Sequence, residues 1–322
     1  MKTARAGVVL AMLVAVTLAA CTHSSSDLPR PIAFATTTTA APAAAVTPVQ
    51  CSDARVSYAP DATNLVPGGA LPSGSYMAKI RARGRLIAGV SADTLLFGFR
   101  NPFSGNLEGF DVDMVRNVAR EIFGNPNKIS YKVLTYAQRI PALQSGAVDI
   151  VADVMTINCT RWTQINFSSE YFTAGQRMLV RTDSKAKSIG DLNGKKVCVA
   201  KGSTNLDEMK KYPKITSVPV DDISDCMVLF QQGTVDAVTG DDTVLAGFVA
   251  QDPYAKIMGG PALTEEPYGL GIAKEHRDFV RYVNAMLATM RADGTWARMY
   301  RTWLNPTGAT PPPPVAQYGR TS

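Results

Sequence analysis

Polar side chains follow two short Val- and Ile-rich runs of the sequence. After Val151 comes the segment Met155-Thr-Ile-Asn-Cys-Thr-Arg161, and after Val238 comes Gly240-Asp-Asp-Thr243. Each run is typical of a buried strand, so hydroxyl, guanidinium and carboxylate groups stand just beyond the carboxyl ends of two strands. Open α/β sheets bind their ligands at this edge. The two segments are therefore the first candidates for a ligand site.

The two segments follow a nine-residue pattern that occurs twice. The copies are Leu143-Gln-Ser-Gly-Ala-Val-Asp-Ile-Val151 and, about ninety residues later, Phe230-Gln-Gln-Gly-Thr-Val-Asp-Ala-Val238. In each copy an apolar helical stretch ends at a Gly that can adopt the left-handed conformation, and a short strand follows. A duplicated unit of this kind predicts two similar lobes.

Helical and strand patterns alternate between Cys51 and Asn305, which predicts an α/β fold. Predicted strands cover Arg85–Val90, Tyr131–Leu134, Val148–Val154, Gly175–Val180, Lys196–Ala200 and Tyr268–Ala273. Predicted helices cover Phe110–Phe123, Ile140–Ser145 and Asp278–Leu304. The first helix has an apolar face formed by Val112, Val115, Val118, Ala119 and Ile122. Two extended runs, at 175–182 and 266–273, enclose the second series of elements and are predicted to cross between the lobes.

The N-terminus has the form of an exported lipoprotein. Two basic residues precede an apolar run over residues 7–20 that is too short to span a bilayer. The run ends in Leu18-Ala-Ala-Cys21, which resembles the lipobox of bacterial lipoproteins. This resemblance implies a signal peptide over residues 1–20, a lipid on Cys21 and a mature protein anchored at the outer face of the cell membrane.

Ser, Thr, Ala and Pro dominate residues 21–50, and such a composition cannot bury a core. We predict a flexible tether there, and a Pro-rich disordered tail over residues 306–322. We predict that residues 51–177 and 270–305 form lobe 1 and that residues 178–269 form lobe 2.

Four cysteines remain after Cys21, an even number in an exported protein, so two disulfides are expected. Three pairings are open. We favour Cys198 with Cys226, because both lie in one lobe, which leaves Cys51 to join Cys159. A metal site is not expected, because the cysteines lack C-x-x-C spacing and the chain has two histidines.

The net charge of the chain is small and positive. The formal value of +6 falls to +4 once Lys2 and Arg5 leave with the signal peptide. No run of Lys or Arg exceeds two residues, so a nucleic-acid partner has no electrostatic support. No later stretch approaches 18 apolar residues, so contact with the membrane is expected through the lipid alone. No cofactor is expected, and the chain is predicted to be a monomer.

Several motifs resemble the family 3 extracytoplasmic solute-binding proteins, which deliver polar amino acids to ABC importers. They run in family order from about residue 80 to 304: Glu108-Gly-Phe-Asp-Val-Asp113, Arg139-Ile-Pro-Ala-Leu143, Gly146-Ala-Val-Asp149, Met155-Thr-Ile-Asn158, Lys195-Lys-Val-Cys-Val-Ala-Lys-Gly202, Tyr268-Gly-Leu-Gly-Ile272 and Gly294-Thr-Trp-Ala-Arg-Met-Tyr-Arg-Thr-Trp303. With its cysteines and tether, the chain is most similar to actinobacterial glutamate- or glutamine-binding lipoproteins. The resemblance implies a type II periplasmic-binding-protein fold, with a ligand cleft between lobes joined by two crossover strands.

The resemblance also implies how an amino acid is held. Arg161 matches the arginine that binds the α-carboxylate bidentately, and Asp241 matches the carboxylate that binds the α-amino group. The neighbouring Asp242 is equally acidic, and the choice between them stays open. Thr156 would add a hydroxyl group and Val154 a carbonyl to the ligand ammonium.

Backbone N–H groups of Ser203 and Thr204 would complete carboxylate binding, while Ser203 also suits an N-cap. Arg139 matches the acidic-amino-acid binders, in which it pairs with the ligand side chain, although a solvated Arg139 is the alternative. Phe97 and Tyr136 are predicted to wall this pocket, but aromatic residues near strand ends are often core.

These motifs predict a binding protein for glutamate or aspartate that serves an ABC permease. Three alternatives are a glutamine or asparagine binder, a sensor that reports to a membrane signalling protein, and an enzyme similar to the dehydratases of this architecture. The enzyme is disfavoured because the predicted folded body has one histidine, His276, and no nucleophile motif.

Overall fold

The computed structural model describes Val49 and residues 51–61, 65–304 and 309–321. The predicted signal peptide, Cys21 and nearly all of the predicted tether lie outside these residues. The strands of the described part are β1 (Val56–Ser57), β2 (Leu86–Val90), β3 (Asp93–Thr94), β4 (Gly98–Arg100), β5 (Leu107–Glu108), β6 (Ile129–Val133), β7 (Ile150–Ala152), β8 (Asn166–Phe167), β9 (Phe172–Arg181), β10 (Lys196–Ala200), β11 (Thr216–Val220), β12 (Ala237–Asp241), β13 (Ala255–Ile257), β14 (Glu265–Tyr268), β15 (Gly271–Ile272) and β16 (Gln317–Tyr318).

The helices of the same part are α1 (Tyr76–Arg83), α2 (Phe110–Phe123), α3 (Arg139–Gln144), α4 (Cys159–Trp162), α5 (Thr204–Met209), α6 (Asp225–Gln231), α7 (Asp242–Gln251), α8 (Arg277–Ala292) and α9 (Thr295–Trp303), with 3-10 turns at Tyr136–Gln138 and Ile189–Leu192. Helix α2 has the predicted bounds, and its five predicted core residues are fully buried. The predicted helix over 278–304 is instead two helices, α8 and α9. Gly294 lies between them with φ +75°, a left-handed conformation that glycine adopts at little cost.

Two sheets of similar topology form the two lobes. The first has the strand order β6-β2-β7-β15-β8, with β2 parallel to β6 and β7 and β15 antiparallel to β7. The second has the order β11-β10-β12-β9-β13, with β10 parallel to β11 and β12 and β9 antiparallel to β12. Three parallel strands followed by an antiparallel strand therefore occur in both lobes, as the sequence pattern predicts.

The repeated nine-residue pattern occupies equivalent places in the two sheets. Strands β7 and β12 follow α3 and α6, and the intervening Gly146 and Gly233 have φ values of 67° and 69°. The aspartates of the pattern are equivalent too. Asp149 accepts a hydrogen bond from the N–H group of Ile87 in β2, and Asp236 accepts one from the N–H group of Lys196 in β10.

The lobes are joined by an antiparallel pair of strands. Residues 172–175 of β9 pair with Glu265–Tyr268, and β9 then continues into the second sheet beside β12. The connection overlaps the predicted crossovers 175–182 and 266–273 only at residues 175 and 266–268. Residues 176–181 belong to the second sheet, so lobe 2 begins two residues before the predicted boundary at 178. The carboxyl ends of β7 and β12 therefore face the space between the lobes.

The two ends of the described chain pair with each other. Strand β16 lies parallel to β1, and Arg320 donates hydrogen bonds to the carbonyl oxygens of Val56 and Asp53. Its guanidinium also lies 3.9 Å from the centre of the Trp162 ring in α4. We call residues 51–58 and 309–321 the terminal clasp. The disordered tail predicted for residues 306–322 is thus corrected over 309–321, because a Pro-rich segment needs no core of its own when it docks on an existing surface.

Both disulfides favoured from the sequence are present. Cys51 is bonded to Cys159, which joins the terminal clasp to α4, and Cys198 is bonded to Cys226, which joins β10 to α6. No helix within the described residues is long and apolar enough to cross a membrane.

Candidate functional site

A small cavity of about 10 Å³, room for about one water molecule, lies where the two lobes meet. Eight of the nine predicted ligand-site residues line it, together with Asn205, which was not predicted. The lining residues are Tyr136, Arg139, Val154, Thr156, Arg161, Ser203, Thr204, Asn205 and Asp241.

The ends of strands and the starts of helices position these groups. Val154 and Thr156 follow β7, Asp241 ends β12, and Ser203 precedes α5. The Ser203 hydroxyl caps α5 by accepting a hydrogen bond from the N–H group of Leu206 at 3.1 Å. Polar groups from both lobes therefore converge because both sheets direct the carboxyl ends of their parallel strands at the same space.

Two buried arginines stand on the lobe 1 side of the cavity. Arg139 is 2% exposed, and its guanidinium lies 4.4 Å from the Tyr136 ring centre and donates to the carbonyl oxygen of Asp153 at 2.7 Å. Arg161 donates to the carbonyl oxygen of Thr156 at 2.7 Å. Burial, reinforced by the charge of Arg139, lowers the pKa of Arg161 to about 9. The site thus holds a concentrated positive charge that an anionic ligand group would offset.

Two buried carboxyl groups stand near the opposite wall. Asp241 accepts hydrogen bonds from the Asn205 amide at 2.8 Å and the Tyr268 hydroxyl at 2.6 Å. Burial and the nearby Glu266 raise the pKa of Asp241 to about 7. Glu266 in turn accepts hydrogen bonds from the hydroxyl groups of Thr156 and Thr204 at 2.6 and 2.7 Å. This wall suits a cationic ligand group, which would stabilise the ionised form of Asp241.

The lobes are closed against each other around the cavity. The carbonyl oxygen of Gly202, in lobe 2, accepts hydrogen bonds from both Arg139 and Arg161 of lobe 1, at 3.2 and 3.1 Å. Gly202 has φ +72°, and a Cβ atom there would lie 2.6 Å from the Cα atom of Ala137 in lobe 1. A second contact lies at Asp93, which accepts from the N–H group of Ser224 at 3.0 Å.

Two residues considered for the site do not line the cavity: Phe97, which was predicted to wall the pocket, and Asp242, which was the alternative to Asp241. Phe97 does not line the cavity, because its fully buried ring packs edge-on against Phe172 and Tyr268 in the core. Asp242 points elsewhere too, accepting a hydrogen bond from the N–H group of Gly175 and pairing with Arg177 at 3.7 Å. Of the two adjacent aspartates, the one at the cavity is therefore Asp241.

Asn205, which lines the cavity, and Glu266, which lies beside it, were not predicted from the sequence. Asn205 ends the Ser-Thr-Asn segment from which only backbone donors were considered. Glu266 lies in a predicted crossover, and an acidic residue in an otherwise buried extended run was the available signal.

Among the residues that the structure describes, no group of three or more His, Cys, Asp or Glu side chains is arranged to hold a metal ion.

The sequence matches the bacterial extracellular solute-binding proteins, family 3, over residues 86–306. The chain belongs to this family. As a family 3 solute-binding protein it is a binding protein and not an enzyme, and its fold is that of the type II periplasmic binding proteins.

Individual relatives of this family 3 protein are similar over most of their length. The ABC transporter glutamine-binding protein GlnH of Bacillus subtilis is 35% identical over 71% of this chain and 84% of its own. The glutamate-binding protein GluB of Corynebacterium glutamicum is 32% identical over 67% of this chain and 77% of its own. The solved structure of holo ArgBP from T. maritima has a TM-score of 0.63 and 34% identity, and the match covers 69% of this chain and 99% of that one.

Proposed function

We propose that this protein binds L-glutamate or L-aspartate in the cavity between its lobes. The observation that carries the proposal is the convergence of two buried guanidinium groups with the carboxyl group of Asp241 around one small space. A free amino acid presents a carboxylate and an ammonium group on one carbon atom, so it requires this combination of charges. The second guanidinium would remain for an acidic side chain.

Arg161 is the proposed partner of the ligand α-carboxylate, and the N–H groups of Ser203 and Thr204 complete that subsite. Asp241 and Thr156 are the proposed partners of the ammonium group, together with the carbonyl oxygen of Val154. The low pKa of Arg161 and the raised pKa of Asp241 have one cause in common, burial, and a zwitterionic ligand would oppose both shifts.

A neutral amide side chain is the second candidate, and the bonding of Arg139 favours it. The Arg139 side chain already donates to the carbonyl oxygens of Tyr136, Asp153 and Gly202. Its capacity for a further carboxylate is therefore reduced. Relatives named for glutamine as well as glutamate are consistent with either ligand.

The proposed partner is an ABC importer in the cell membrane, because the similar protein of Bacillus subtilis is named as part of an ABC transporter. We propose that the mature protein is a monomer held at the outer face of that membrane by a lipid on Cys21. This part of the proposal is tested by metabolic labelling with a radioactive fatty acid, which should label the native protein and leave Cys21→Ser unlabelled.

The binding proposal is tested by calorimetry on Arg161→Ala. This variant should lose about 3–5 kcal/mol of binding free energy, because the ligand carboxylate would be buried without its partner. The matched control is Arg116→Ala, which removes an arginine of α2 that does not line the cavity. Affinity for glutamate that is equal in the two variants would remove Arg161 from the site.

A further inference from the structure

Asp153 is a buried acid without an obvious structural purpose. It follows β7 and is 1% exposed, and neither carboxyl oxygen has a hydrogen-bond partner among the described residues. Buried polar atoms are normally paired, so an unpaired carboxyl group in the interior calls for an explanation.

The position of Asp153 relates it to the ligand cavity through Arg139. Arg139 donates to the carbonyl oxygen of Asp153 itself at 2.7 Å, and its positive charge favours the ionised form of the Asp153 carboxyl group. Arg139 lines the cavity whereas Asp153 does not. Four charged groups shift the pKa of Asp153: Arg139 of α3, Asp111 of α2, Asp93 of β3 and Arg161 of α4. Asp153 in turn raises the pKa of Tyr136, in the first 3-10 turn, and of Tyr171, next to β9.

We propose that the carboxyl group of Asp153 sets the preference of the cavity between acidic and amide side chains. The inference rests on the proposed function, since it assumes that Arg139 faces the ligand side chain. When Asp153 is neutral, the charge of Arg139 is available to an anionic ligand group. When Asp153 is ionised, the pair is nearly neutral, and an amide binds about as well as a carboxylate.

The consequence is a ligand preference that changes with pH. Burial raises the pKa of Asp153 to about 7. The positive charge of Arg139 opposes this shift, and the negative charges of Asp111 and Asp93 add to it. Asp153 is therefore mostly neutral below pH 7 and mostly ionised above it. The ratio of glutamate to glutamine affinity should fall as the pH rises through 7. By reciprocity, glutamate should promote protonation of Asp153, and glutamine should not.

Calorimetry at pH 7 in two buffers with different ionisation enthalpies measures this proton uptake. The difference in proton uptake between glutamate and glutamine reports on the side-chain pocket alone. Any proton exchanged at Asp241 cancels, because Asp241 meets an ammonium group that both ligands share. In the wild type we expect glutamate to take up about half a proton more than glutamine. The affinity ratio should fall about three- to tenfold between pH 6 and pH 8.

The variant Asp153→Asn should abolish the difference in proton uptake and keep the high glutamate preference at pH 8. The matched control is Asp252→Asn, which removes another buried carboxylate outside the cavity and should behave as the wild type. An equal uptake for both ligands in the wild type, or a difference that survives in Asp153→Asn, would overturn the inference. If Asp153→Asn does not fold, the wild-type measurement still decides. Failure of both ligands to bind would overturn the proposed function as well.

Discussion

At the scale of single residues, the cavity depends on ionisable groups that the protein keeps away from water. Asp241 must be ionised to bind an ammonium group, yet burial and Glu266 raise its pKa to about 7. Below that pH the ligand must displace a proton. Affinity for glutamine, whose side chain is uncharged, should therefore fall by about tenfold for each pH unit below 7. Titration calorimetry between pH 5 and 8 checks this, and a flat profile would contradict it.

The adjacent aspartate provides the matched control. Asp241→Asn should lose most of the affinity for every amino acid, because it removes the charge that offsets the ammonium group. Asp242→Asn should change affinity by less than about threefold, since Asp242 is partly exposed and pairs with Arg177 away from the cavity. The reverse pattern would assign the ammonium group to Asp242.

Residues of the cavity were predictable where a family motif marks them, as for Arg161 in α4 and Asp241 at the end of β12. Phe97 was not, because an aromatic residue beside a strand can face either the core or the cleft. Asp153 and Glu266 were missed for a different reason. Their importance comes from burial next to other charges, which depends on how the lobes pack and not on local sequence.

At the scale of secondary-structure elements, α4 is held by the terminal clasp as well as by its own lobe. Cys51 is bonded to Cys159, and Arg320 stacks on Trp162 and bonds to two carbonyl oxygens of the N-terminal segment. Arg320→Ala should lower the free energy of unfolding by about 1–3 kcal/mol, through the lost cation–π contact and hydrogen bonds. Urea denaturation measures this change.

The control for that measurement is Arg301→Ala, which removes an exposed arginine from α9 and should change stability by less than about 0.5 kcal/mol. Equal stability of the two variants would mean that the clasp contributes nothing measurable. Such a result would leave the disulfide, the hydrogen bond from the Trp162 indole to the carbonyl oxygen of Ala54 and the ring contact of Tyr58 with Trp162 to join the N-terminal segment to α4.

Most helices and strands were predictable, because the spacing of apolar residues along the chain follows from which side chains of an element are buried. Helix α2 and strand β10 have the predicted bounds. The break at Gly294 was missed because apolar spacing continues on both sides of it. The docking of residues 309–321 was missed because composition describes what a segment can bury alone, whereas this segment uses a surface made by distant parts of the chain.

At the scale of the whole molecule, we expect ligand capture to require closure of the lobes. Gly202→Ala should oppose closure, because the added Cβ atom would meet the Ala137 Cα atom of the other lobe at 2.6 Å. Affinity for all amino acids should fall together, by about tenfold or more, with their ratios unchanged. Calorimetry measures the affinities, and small-angle scattering with and without ligand measures closure.

Gly233→Ala is the matched control, because Gly233 has a similar φ of +69° but no atom within 4 Å of a Cβ atom built there. Gly233→Ala should lower the free energy of unfolding, because alanine adopts the left-handed conformation at a cost, and it should change ligand affinity little. Equal losses of affinity in both variants would indicate that strain within lobe 2, and not closure, weakens binding.

The central claim is that Arg139 meets an acidic side chain in the closed cavity. Competition calorimetry of L-glutamate against L-glutamine at pH 6, on the wild type and on Arg139→Gln, tests it most directly. The wild type should prefer glutamate by about 1–3 kcal/mol, since an amide leaves the buried guanidinium charge uncompensated, and Arg139→Gln should lose this preference. Tighter binding of glutamine by the wild type, or the same ratio in both proteins, would contradict the claim.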